Sequence, residues 1–66
     1  MNEQEFITEV GVGERCLANG NNMLAALAWD RCRTYIAELY TENKDNPKIK
    51  ELEVMLPRSY QRIPHV

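Results

Sequence analysis

The alternation of apolar and polar positions is strongest in residues 22–40, NMLAALAWDRCRTYIAELY. Wound at about 100° per residue, Leu24, Tyr35, Ala28, Leu39, Cys32, Ala25, Ile36, Trp29 and Tyr40 fall in order on one side, across roughly 160°. A stripe of about 100° suffices for a helix that faces one neighbour, so this pattern predicts a long helix with neighbours on two flanks. Arg33, Asp30, Thr34, Glu38 and Arg31 take the opposite side, with Met23 and Leu27 the only large apolar residues stranded among them.

The segment before it opens on Asn2 with Glu5 three residues on, the spacing of a capping box. Glu3, Glu5 and Glu9 fill the early turns, where the helix dipole favours negative charge. Phe6, Val10, Gly13 and Leu17 share one narrow stripe, with Ile7 beside it. Gly11 and Gly13 each cost about 1 kcal/mol against Ala inside a helix, which admits two readings. Either the helix breaks around them, or Gly13, in mid-stripe, gives another helix room to approach.

Asn19-Gly20-Asn21-Asn22 is a turn: Gly20 can take the left-handed conformation that ends one helix, and Asn21 or Asn22 can cap the next. So short a connection makes the first two helices antiparallel. The central helix is expected to end near Thr41, followed by the polar run TENKDN. Asn46 as cap and Pro47 at the first helical position then start a third helix. Its apolar face is Ile49, Leu52, Met55 and Leu56, and Pro57 ends it. The last ten residues, PRSYQRIPHV, have no periodicity and read as an extended tail. The predicted fold is all-α: a helical hairpin or three-helix domain over residues 1–56, with an extended C-terminal tail over residues 57–66.

Composition narrows the function classes. Sixty-six residues make one domain that buries only about 60% of its unfolded surface, so a partner would add needed stability. The formal net charge is −2; residues 57–66 hold Arg58 and Arg62 and no acid, leaving −4 on the rest. That balance argues against a dedicated phosphate-backbone binder. The opening MNEQEF has no basic region followed by an apolar run, so no secretory leader is expected. Nor does any stretch reach the roughly 18 apolar residues of a membrane span. Two cysteines are too few for a secreted disulfide framework, and the expected compartment is the cytoplasm.

Candidate chemistry is sparse. Cys16, Cys32 and His65 form none of the spacings of a zinc site, so no metal and no cofactor are expected. His65, the only histidine, sits next to last, a poor place to hold a general base. Cys32 lies between Arg31 and Arg33 in sequence but points about 100° away from each on the helix, into the apolar arc. Cys16 and Cys32 stand at different distances from the turn and are offset beyond the roughly 7 Å limit for bridging, so two free thiols are expected. No catalytic residue is assigned, and the chain reads as a non-enzyme.

Trp29, Ile36 and Tyr40 line one margin of the central arc, and Leu24, Ala28, Tyr35 and Leu39 the other. The margin of Trp29, Ile36 and Tyr40 is expected to remain exposed, to bind a partner and to pair two copies as a homodimer, since Trp and Tyr are favoured interface anchors. In the tail, Tyr60 and Ile63 are candidate anchors for a partner, with Arg58 and Arg62 steering toward an acidic surface. The same segment has two other uses open to it: a disordered end, or a fold-back of Tyr60 and Ile63 over the exposed margin. Size, acidic balance and helical hairpin are similar in general style to small accessory proteins of phages and other mobile elements. The expected function is therefore a small protein-interaction module that binds and modulates another macromolecule. The alternative is a nucleic-acid-associated regulator using Arg31, Arg33, Arg58 and Arg62.

Overall fold

Asn2 Oδ1 accepts a hydrogen bond from Glu5 N at 2.8 Å, and Glu5 Oε1 accepts from Asn2 N at 3.0 Å. This complete capping box starts α1, Glu3–Ala18, in a computed structural model that describes residues 1–61. α2 is Asn22–Glu42 and α3 is Lys48–Glu53; one turn of 3-10 helix, Arg58–Tyr60, follows. The fold is all-α, without strands among the described residues.

The turn between α1 and α2 is a Schellman motif. Asn21 N donates to Cys16 O at 2.8 Å and Gly20 N to Leu17 O at 3.0 Å, while Gly20 takes φ 78°. Asn21 then caps α2 directly, its Oδ1 accepting from Leu24 N at 3.2 Å. Three residues thus end one helix and begin the next, and α1 packs antiparallel along α2.

α1 runs unbroken through both glycines, which settles the choice the sequence left open. Gly13 is buried beneath the indole of Trp29. A Cβ built there would lie 2.6 Å from Trp29 Cε2 and 2.8 Å from Cδ1, and nearer still to Nε1. The glycine is a close-approach site. Gly11 has open space around it.

Phe6 and Val10 of α1, Ala25, Trp29, Cys32 and Ile36 of α2, and Ile49, Leu52 and Leu56 make one core. Phe6 and Tyr35 add a tilted ring contact with centroids 5.7 Å apart. Asn46 behaves as the sequence predicts, its Oδ1 accepting from Lys48 N at 3.0 Å. Pro47 already has helical angles, −64° and −22°. The end of α3 differs from expectation. The helix stops at Glu53, and Met55 N donates to Leu52 O and Leu56 N to Glu53 O, three residues back instead of four. That tighter winding turns Met55 out, 43% exposed, and carries Leu56 into the core. Lys48 Nζ lies 3.3 Å from Glu3 Oε1, tying the start of α3 to the start of α1. Arg31 and Glu9, 3.7 Å apart, link α2 to α1. Both pairs are solvent-facing enough to contribute less than about 1 kcal/mol each.

Candidate functional site

The margin expected to stay open is closed within one chain. Trp29 and Ile36 are buried, and Tyr40 is half-buried at the edge of the core. This corrects the expectation that Trp29 and Ile36 stand exposed as partner anchors. Helical periodicity marks which side chains are apolar but not how far one reaches. The Trp29 indole spans to α1 because Gly13 has no side chain to stop it.

The chain beyond Pro57 closes the rest. Pro57 is extended at φ −55°, ψ 150°, and the Arg58–Tyr60 turn folds back onto α2. The Tyr60 ring lies on Trp29 with centroids 5.2 Å apart and a tilt of 53°. The Arg33 guanidinium stands 5.9 Å from the Tyr60 centroid, in cation–π range. Gln61 Nε2 donates to Leu56 O at 2.9 Å and pins the segment to its own stem. Of the three uses open to the tail, this is the fold-back, for residues 58–61. Arg58 is exposed, and Arg62, Ile63 and His65 lie outside the described residues.

Two arginines of the nucleic-acid alternative, Arg31 and Arg33, have partners within the chain. Arg31 pairs with Glu9, and Arg33 with Asp30 at 3.8 Å and with Tyr60. Both cysteines are free thiols. Cys32 is fully buried with Sγ 3.8 Å from Phe6 O, and burial, then the charge of Glu9, pushes its pKa up to about 11. A thiol held neutral in this way is no nucleophile at neutral pH. Among the described residues no three His, Cys, Asp or Glu side chains converge as metal ligands. No helix of the described chain is long and apolar enough to cross a membrane. A cleft of about 430 Å³ lies beside the α2–α3 connection, between Tyr40 and Ile49, with Lys44 and Lys50 facing Asp45 and Glu53 on its walls. It holds neither histidine nor cysteine.

Large apolar side chains exposed among the described residues are Met1, Ile7, Val54 and Met55, and four more on either side of the hairpin turn. Leu17, at the end of α1, and Leu24 and Leu27, in the first turns of α2, are each half-exposed, and Met23 is 77% exposed. All four adjoin the hairpin turn in the chain. Met23 and Leu27 are four apart, and Leu24 and Leu27 three apart, so the α2 members share one face. The stranded Met23 and Leu27 were the signal in the sequence. They were not connected to a site there because Leu24 counts with the core arc and Leu17 with the stripe of α1. No protein-family model, curated protein or solved structure matches this chain.

Proposed function

We propose that this chain is a small non-enzymatic helical interaction module that binds another protein through the hairpin end of α1 and α2. The observation that carries this reading is the exposure of Leu17, Met23, Leu24 and Leu27 on a chain whose core closes without them. Keeping such side chains in water forgoes on the order of 1 kcal/mol apiece, at about 25 cal/mol per Å² of apolar surface. Exposed apolar side chains grouped on one helix face, as Met23, Leu24 and Leu27 are, mark interaction sites where they form a patch. The paired arginines and the acidic balance favour a protein over a nucleic acid as partner. Its effect on the partner is occlusion or holding, the accessory role expected from the sequence.

The test is affinity capture with the native chain and with Leu24→Glu/Leu27→Glu. Both side chains are half-exposed and outside the core cluster, so the variant should keep its helicity and lose no more than about 1 kcal/mol of stability. Proteins held by the native chain should be lost from the variant. The same proteins retained by both would place the binding surface elsewhere.

A further inference from the structure

The Trp29–Tyr60 contact joins an element with a core of its own to one that has none. No residue of the Arg58–Tyr60 turn is buried, and its backbone hydrogen bonds are local: Tyr60 N to Pro57 O at 2.8 Å and Gln61 N to Arg58 O at 3.2 Å. Its packing against the rest of the chain falls on α2, through Trp29 and Arg33. Leu56, immediately before it, is anchored in the core, and extended Pro57 separates the two. The segment can therefore detach without breaking a backbone hydrogen bond of α1 or α2. The Trp29 indole N–H adds no hydrogen bond to the contact, having no acceptor among the described residues.

We propose that residues 57–61 form an exchangeable strap. The strap leaves α2 while the hairpin stays folded, and the vacated seat of Trp29 and Arg33 accepts the same tyrosine-bearing segment from a second copy of the chain. The occupant is the one already seen seated there. Exchanging it between copies adds no new contact, which makes such swapping a low-cost route to a dimer. In one chain the short Pro57 tether keeps the local concentration of the strap in roughly the millimolar range, so the closed monomer dominates when the protein is dilute. Self-association thus enters by a route different from the exposed margin expected from the sequence, and through residues distinct from the hairpin end.

Amide hydrogen exchange on the native full chain tests the first half. Tyr60 and Gln61 should be at least ~100-fold less protected than Cys32 and Ile36, because the strap opens locally and the hairpin only globally. Equal protection would make the strap part of the core and overturn the proposal. For the second half, Trp29 is the only tryptophan and its quenching by acrylamide reports the seat. Tyr60→Ala in the full chain should keep its helicity and raise quenching roughly twofold. A peptide of residues 57–66 at millimolar concentration, matching the tether, should reverse that rise. The same peptide carrying Tyr60→Ala should not. Loss of helicity in the variant, unchanged quenching, or indifference to the peptide would each overturn the strap.

Discussion

Gly11 and Gly13 sit two residues apart on one helix, yet a methyl group added to each should act in opposite directions. At Gly11 a Cβ meets nothing within 4 Å, so Gly11→Ala should stabilise by about 0.5–1 kcal/mol through helix propensity and a less free unfolded chain. At Gly13 the same atom runs into the Trp29 ring, and overpacking of about 1–3 kcal/mol outweighs that gain. Urea midpoints of the two variants decide; a stabilised Gly13→Ala would mean that Trp29 does not rest on α1. The thiols make a second contrast. In denaturant two should titrate per chain, whereas in the native state Cys32, fully buried, should react far more slowly than half-buried Cys16. Burial raises the folded pKa of Cys32 from 9.0 to about 11, so between these values the unfolded chain has released a proton that the folded chain retains. Stability is therefore whole below pH 9 and falls as pH rises toward 11, by on the order of 2 kcal/mol. Comparison with Cys32→Ala, which should lack that part of the slope, separates it from tyrosine and lysine titration.

At the scale of elements, what was legible in the sequence was whatever is encoded locally. The capping box of Asn2 and Glu5, the left-handed Gly20, the Asn21 cap and the Asn46-Pro47 start each depend on a few adjacent residues and stand where the sequence places them. The end of α3 was not legible, because extrapolating helical winding to Pro57 misses the tightening after Glu53 that turns Met55 out while Leu56 stays buried as expected. A helix of six residues has no stability of its own in water, so α3 exists because Ile49, Leu52 and the following Leu56 are buried. Leu52→Ala should cost about 2–5 kcal/mol, a large share of what so small a domain holds. Thermal melts by circular dichroism should show a lower midpoint. A variant as stable as the native chain would mean that α3 is an ornament on a self-sufficient hairpin.

For the whole molecule, the sequence carried the element order but not the closure of the core, because closure depends on contacts between distant residues. Trp29 to Gly13 and Trp29 to Tyr60 each join separate elements, and neither partner is marked in the apolar pattern of the central helix. The surface we propose for binding was hidden for the complementary reason: its four residues belong to two helices and lie on either side of the turn in the chain. That turn also bears on speed. Only residues 19–21 separate α1 from α2, so bringing the two longest elements together closes a very short loop and costs little chain entropy. Folding should then be governed by neighbours in sequence and be complete in roughly microseconds to a millisecond, as in other helical domains rich in local contacts. A temperature jump followed through Trp29 would measure it directly. A single relaxation slower than about 10 ms would show that assembly waits on docking of α3, and that the tight turn does not set the pace.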